Sequence, residues 1–281
     1  MKDLSRYYDL HIHTTYSDGT FTVKEIFERA KFLGMKGISI SDHDTMEGID
    51  EAKKIASELD LEFIPGIEFS CALDGLEIHI LGYFLDKNCE ELKAKLVELK
   101  KAREERNIKM IKKLNDRGLR ITVEEVEKEA TGTIVSRAHI CNVMMNKGFV
   151  YSKGEAFKQY LGRKGVAYVE KGNSDPKEII KLIKKCGGVS ALAHPNLVSE
   201  SREKVEKIID ILKESGLDGL EVEYSSYTSK ERAYYRKLAM EKNLLMVGGS
   251  DFHGGNRVGI DIGYASISEE DVKELLERGK N

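Results

Sequence analysis

The chain of 281 residues is 41% hydrophobic and 33% charged, with a net charge of −3, which allows one large α/β domain or a domain carrying an insertion. Such a balance excludes a general electrostatic pull on nucleic acid or anionic membrane, so any affinity for an anion must be local. MKDLSRYYDL has no apolar leader segment, no run approaches membrane-spanning length, and the four scattered cysteines (Cys71, Cys89, Cys141, Cys186) form no CxxC pair; a soluble cytoplasmic protein with separate buried thiols is expected.

In chain order, YYDLHIH reads as a strand, and TVKEIFERAKFLG as an amphipathic helix capped by Thr22 and stopped by Gly34. KGISIS is a strand, 46–59 a helix, and LEFIPGIEFS and LEIHILGYF are strands. From 88 to 163 no strand pattern appears. There, 91–118 reads as one long charged helix, Thr122 and Glu125 form a capping-box pattern, and a further helix starts at Ser136. Asp175-Pro176 opens a helix with cap and first-turn proline in order. GGVSALAHP is then a strand, 202–215 a helix, DGLEVEYS a strand, 229–242 a helix and LLMVGGSDFH a strand; GYASIS and a Ser268-capped helix close the chain.

Strand–helix alternation with near-continuous apolar strands predicts a parallel sheet covered by helices, and about seven such strands favour a closed α/β barrel over an open sheet. Three parts follow: 1–87 as the first part of the barrel, 88–165 as an inserted helical domain capping the substrate, and 166–281 as the second part of the barrel.

Five of the seven histidines lie within two residues of a carboxylate or another histidine: His11 and His13 in DLHIHT, His43 in SDHD, His79 in EIHILGY and His253 in SDFH; a sixth, His194 in LAHP, likewise follows a short apolar run. Asp18, Glu68 and Asp251 accompany them. Zinc, manganese and iron accept these ligand types. The set exceeds what one ion needs, so it predicts a multinuclear metal site, and such sites mostly perform hydrolysis. Alternation along a strand puts Asp9, His11 and His13 on one face. HxH alone is a weak signal, but Asp251-Phe252-His253 repeats the spacing at another strand end. Asp42 and Asp44 flank His43 and are expected to orient its ring. Six separately satisfied core histidines would require six coincidences of position.

DLHIHTTYSDG, ISDHD, GIEFS, IHILGY, ALAHP and GSDFH, in that order, resemble the motifs of the PHP (polymerase and histidinol phosphatase) superfamily of metal-dependent phosphoesterases. The resemblance implies a distorted (β/α)7 barrel holding two or three divalent ions, usually manganese, zinc or iron. It implies that His11, His13, Glu68 and Asp251 surround one ion, that Glu68 bridges to a second held by His79 and His194, and that Asp18, His43 and His253 hold a third. Many relatives have histidine in place of Asp18, and the carboxylate favours manganese or magnesium over zinc. Coordination lowers the pKa of water towards 7, so a hydroxide bridging two ions is the expected nucleophile, with no serine or cysteine required.

In the long helix, Leu92, Leu96, Leu99, Arg103, Arg106 and Met110 form one seam, which puts two arginines on the inward line. They either snorkel to solvent at the helix edge or face an anion. Ser136-Arg137-Ala138-His139 reads as a capped helix start, an anion site to which Arg137 adds a bidentate contact; His139 alone is as readily structural. SRAHICNVMMNKGFV and the ERN turn resemble the branch containing 3′,5′-nucleoside bisphosphate phosphatases and 5′→3′ exonucleases acting on short RNA. That resemblance implies that Arg103, Arg106, Asn107, Arg137 and His139 hold the phosphate distant from the metals.

The expected function is therefore hydrolysis of a phosphomonoester on a small nucleotide, such as pAp to AMP and phosphate, with 5′→3′ trimming of short RNA. The alternatives are a phosphatase of a small metabolite such as histidinol phosphate and a non-catalytic nucleotide-binding module. A membrane partner and sequence-specific DNA binding have no support in the sequence.

Overall fold

The structure, a computed structural model, describes residues 3–170 and 174–279. Its strands are β1 (Tyr7–Ile12), β2 (Gly37–Ile40), β3 (Glu62–Leu73), β4 (Leu76–Tyr83), β5 (Val189–Leu192), β6 (Gly219–Tyr224), β7 (Leu245–Gly249) and β8 (Ile267–Ser268). They form one sheet in the order β7-β6-β5-β4-β3-β2-β1-β8. Strands β1 to β7 make the wall, and the two-residue β8 lies antiparallel along the start of β1.

The expectation of an all-parallel wall fails at β4, which is antiparallel to both β3 and β5. Leu73 pairs with Leu76, which leaves Asp74 and Gly75 as the whole connection, with φ of 49° and 68°. Two consecutive positive φ values are what a two-residue type I′ hairpin demands, and Asp-Gly supplies them at low cost.

The wall closes where β7 returns to β1. The Asp251 N–H donates to the His11 carbonyl at 2.8 Å and the His13 N–H to the Phe252 carbonyl at 2.9 Å. Gly249 permits this approach, since a Cβ there would lie 2.4 Å from the His11 nitrogen. Buried Asp9 ties the seam by accepting from the Ser250 and Gly263 N–H groups, each at 2.8 Å. Burial nevertheless pushes its carboxyl up to about 6.

Helices α1 (Val23–Phe32), α2 (Ile49–Leu59), α7 (Pro176–Lys185), α9 (Arg202–Glu214), α10 (Ser229–Glu241) and α11 (Glu269–Arg278), with the short α8 (Pro195–Val198), alternate with the strands. Each longer one buries a stripe at helical spacing, such as Val23, Ile26, Phe27 and Ala30 in α1. Thr22 and Glu25 complete a capping box, and Asp175 and Ser268 cap α7 and α11.

Between β4 and β5 lie α3 (Glu90–Asn115), α4 (Val123–Glu129), α5 (Arg137–Asn146) and α6 (Lys153–Ala156), the last continued by a π-helical turn over Phe157–Leu161. α3 joins two cores. Leu92 and Leu99 pack into the barrel, whereas Met110, Ile111 and Leu114 pack with Ile140, Met144 and Leu161 in a separate apolar cluster. Cys89, at the start of α3, is disulfide-bonded to Cys186 at the end of α7, which corrects the expectation of four separate thiols. A separation of 97 residues hid the pair, although the fold brings the two Cα atoms to 5.7 Å. Cys71 and Cys141 are buried outside this bond. Among the described residues no helix is long and apolar enough to cross a membrane.

Candidate metal centre and adjoining basic pocket

All nine predicted ligands converge on one mouth of the barrel. Glu68 of β3 is at the centre. Its Oε1 lies 2.8 Å from His79 Nδ1 and 2.9 Å from His194 Nε2, and its Oε2 lies 2.9 Å from His43 Nδ1 and 3.3 Å from His13 Nε2. Asp251 Oδ1 approaches His13 Nε2 at 3.1 Å and His11 Nε2 at 3.5 Å. Asp18 Oδ1 lies 3.3 Å from His253 Nε2 and 3.9 Å from His43 Nε2. Most of these groups leave the ends of parallel strands, where Asp44, His194 and Asp251 take φ of 53°, 27° and 54°; left-handed backbone of this kind is strained in non-glycine residues. His79 breaks the pattern. It lies on reversed β4, opposite Ser70, and enters the mouth from the first half of its strand.

Neighbouring groups fix how the rings point. Buried Glu221 accepts from His11 Nδ1 at 2.9 Å and from the His194 N–H at 2.6 Å. A carboxylate only accepts, so Nδ1 carries the proton and the Nε2 lone pair of His11 faces the mouth. His253 Nδ1 likewise donates to the Asp251 carbonyl at 2.9 Å. The other oxygen of Asp251 accepts from the Tyr224 hydroxyl at 2.9 Å and pairs with Arg257. Sequence reasoning missed Glu221 and Arg257. Two acids at alternate positions, Glu221 and Glu223, inside the otherwise apolar strand DGLEVEYS were the available signal for Glu221; the glycine-rich turn around Arg257 offered none. Tyr224 is buried and uses its hydroxyl to hold Asp251.

The expected role of the acids flanking His43 needs correcting. Asp42 accepts from the Thr14 N–H at 2.8 Å and from the Thr14 and Ser17 hydroxyls, each at 2.6 Å, which fixes the loop that carries Asp18. Asp44 accepts from the Ser70 N–H at 3.0 Å and from Arg103 Nε at 2.7 Å. The carboxylate nearest the His43 ring is Glu68, with Oε2 2.9 Å from Nδ1.

The cluster draws positive charge. Burial works against the Glu68 carboxylate, yet the imidazoles of His79, His43 and His11 hold it well below the ordinary range. Asp251 is held low against burial by His11 and His253. Burial would depress His13, but the nearby Asp251 and Glu68 carboxylates carry it up to about 10, while burial wins at His43 and pushes it down to about 4. His11 Nε2, His13 Nε2, Asp18 Oδ1, His43 Nδ1, Glu68 Oε2 and His194 Nδ1 are buried and make no properly directed hydrogen bond. Together with His79, Asp251 and His253, these residues bring ligand atoms within 4.8 Å of one another in the sets His13/Asp18/His43/His253, His11/His194/Asp251, His11/His13/Glu68 and His43/Glu68/His79. Buried polar atoms normally find partners. Crowded together yet unpaired, they are aimed at shared points, and the donor set fits more than one divalent cation.

Beside this cluster a second cavity of about 170 Å³ is lined by Arg103, Arg106, Arg137, Ser136 and Glu77 together with Asp18, His43 and His79. Arg103 and Arg106 are each 5% exposed, so the reading in which they snorkel to solvent is wrong. Their situations differ. Arg103 is paired with Asp44 and donates to Ser70 Oγ at 2.9 Å. Arg106 donates only to Asn107 Oδ1, at 3.0 and 3.3 Å, and has no carboxylate partner among the described residues. Burial and the nearby guanidinium groups of Arg103 and Arg137 pull its pKa down to about 9, a cost that an anion would relieve. Arg137 pairs with Glu77 at 2.6 Å. Asn107 and His139 stand behind this wall. Asn107 anchors Arg106 to the Val135 carbonyl at 2.9 Å, and His139 Nδ1 accepts from the Ser136 N–H at 3.0 Å to complete the cap of α5. Burial lowers the pKa of His139, as suits a neutral acceptor.

The PHP domain model matches residues 9–249. A 5′-3′ exoribonuclease of Haemophilus influenzae is 35% identical over 89% of this chain and 91% of its own. A 3′,5′-nucleoside bisphosphate phosphatase of Chromobacterium violaceum is 27% identical over 91% and 90%. Among solved structures, a protein of Bifidobacterium adolescentis classed as a metal-dependent phosphoesterase superposes with a TM-score of 0.88 at 29% identity, covering 97% of this chain and 96% of its own. An amidohydrolase of C. violaceum with bound sulfate and no metal gives 0.89 at 26% identity over the same shares. With this match over most of its length, and with the acid and imidazole groups gathered at a barrel mouth, the chain belongs to the PHP domain family and is a metal-dependent phosphoesterase.

Proposed function

We propose that the enzyme removes the 3′-phosphate from a 3′,5′-nucleoside bisphosphate, pAp giving AMP and phosphate, and trims short RNA from a 5′ end. The observation that carries this reading is Arg106, a buried guanidinium with no carboxylate partner among the described residues, in a cavity that shares walls with the imidazole–carboxylate cluster. One anion site would hold the reacting phosphate, the other the phosphate left on the product.

In this reading His11, His13, Glu68 and Asp251 hold one ion, Glu68, His79 and His194 a second, and Asp18, His43 and His253 a third. Manganese is the ion we favour, because the Asp18 carboxylate suits a hard cation. Bound cations supply an activated water and neutralise charge on the phosphoryl oxygens. The remaining work falls to the chain. Glu221 and the Asp251 carbonyl keep the Nε2 atoms of His11 and His253 turned to the mouth, Arg106 and Arg137 bind the distal phosphate, and the N-terminus of α5 adds a partial positive charge. Asn107, His139 and Arg103 hold that wall in place.

Phosphate release from pAp, histidinol phosphate and sugar phosphates tests the assignment. We expect kcat/KM for pAp to exceed the others by ~100-fold, as a site with polar groups left unpaired by the wrong substrate should discriminate. Turnover of histidinol phosphate with none of pAp would end the nucleotide reading.

A further inference from the structure

Glu77 is the acid that, apart from Asp18 of the imidazole–carboxylate cluster, lines a cavity walled by three arginines. It precedes His79 by two residues on β4, so both side chains point into the mouth. Glu77 and Arg137 line three adjoining spaces: the cavity over the ligand cluster, the basic cavity, and a narrow slot beyond Arg106 towards Tyr168. The acid therefore stands at the junction of the two anion sites. Both of its contacts fall on one oxygen, with Arg137 at 2.6 Å and His79 Nε2 at 3.4 Å from Oε1. Oε2 has no hydrogen-bond partner among the described residues, and the side chain is 41% exposed to the cavity. A carboxylate that served only to hold Arg137 would need Oε1 alone.

A charged acceptor at this place repels phosphate but welcomes a neutral donor. Between the two phosphates of a 3′,5′-bisphosphate lies only the sugar, and the hydroxyl next to the 3′-ester is the 2′-OH, the group by which proteins tell RNA from DNA. We propose that Glu77 accepts a hydrogen bond from the substrate 2′-hydroxyl through its open oxygen and so sets a preference for ribonucleotides over 2′-deoxyribonucleotides. This inference rests on the bisphosphate reading above and adds the sugar to it.

The test compares kcat/KM for adenosine 3′,5′-bisphosphate and its 2′-deoxy analogue in the metal-loaded wild type, Glu77→Ala and Glu77→Gln, with calorimetric Kd values for AMP and 2′-deoxy-AMP as a second readout. Wild type should favour the ribo form by ~10- to 100-fold, the preference should fall below about threefold in Glu77→Ala, and Glu77→Gln should lie between, because a neutral acceptor holds a hydroxyl less strongly. Loosening of Arg137 affects both sugars alike, so the ratio isolates the hydroxyl. A wild type indifferent to the sugar overturns the proposal. So does an unchanged ratio in Glu77→Ala with both rates reduced, which is the mark of a residue that merely positions Arg137. Should Glu77→Ala fail to fold, an unchanged ratio in Glu77→Gln is equally decisive. Hydrolysis of p-nitrophenyl phosphate with neither bisphosphate turned over sinks the substrate reading and the sugar inference together, whereas bisphosphate turnover without sugar preference sinks the inference alone.

Discussion

The barrel mouth and the cap seam solve opposite electrostatic problems. At the mouth, acids and imidazoles crowd around Glu68 and hold it ionised despite burial. At the seam, three arginines crowd together with carboxylates for only two of them, since Arg103 has Asp44 and Arg137 has Glu77. The first arrangement suits cations and, in the reading proposed above, the second suits an anion. A phosphate ester bound to divalent ions is one of the few ligands that answers both, because buried charge must be compensated locally.

Perturbing each region separately should break that complementarity in different ways. The largest effect is expected from His11→Ala, or from chelation of the wild type: loss of turnover of every phosphoester by ~10³-fold or more, including p-nitrophenyl phosphate, with fewer ions per chain by elemental analysis. Full activity with an unchanged metal count would remove His11 from the centre. Next comes Arg103→Ala, which takes the cation from buried Asp44; a stability loss of ~3–5 kcal/mol is expected in denaturant titrations. An unaltered midpoint would mean that Asp44 finds another partner. Reducing Cys89–Cys186 removes a crosslink spanning 97 residues and should lower stability by ~2–4 kcal/mol, visible as a drop in Tm with reductant that is absent in Cys89→Ser. Glu221→Gln should weaken metal affinity by ~10- to 100-fold without touching the arginine pocket. The smallest effect belongs to Arg137→Ala, a rise in KM for bisphosphates of ~10-fold with small monophosphates less affected. Equal loss for both substrates would place Arg137 at the reacting phosphate or in the scaffold.

What the sequence disclosed follows the same division. The mouth was legible because its ligands lie in short local motifs at strand ends, where spacing alone decides which side chains share a face. Glu221 escaped notice because nothing local distinguishes it from Glu223 in the same strand; its contacts are with His11 and His194, far along the chain. The antiparallel course of β4 was visible in principle in Asp74-Gly75, but strand–helix alternation on either side outweighed it. The seam was legible as two arginines on an inward line, yet which of them was already neutralised depended on Asp44, 59 residues from Arg103. The bonds of Asn107 to Arg106 and the Val135 carbonyl, and of His139 to the Ser136 N–H, were not legible, because capping and anchoring bonds are settled by backbone geometry.

The helix from Glu90 to Asn115 contains neither glycine nor proline. Rooted at one end among barrel side chains and at the other among those of the cap, it behaves as the fixed bar of a caliper. In the proposed reading, this bar sets the gap between its jaws, from imidazole cluster to guanidinium wall. Molecules too short to reach both jaws would be held by one alone, which makes length itself a criterion of selection.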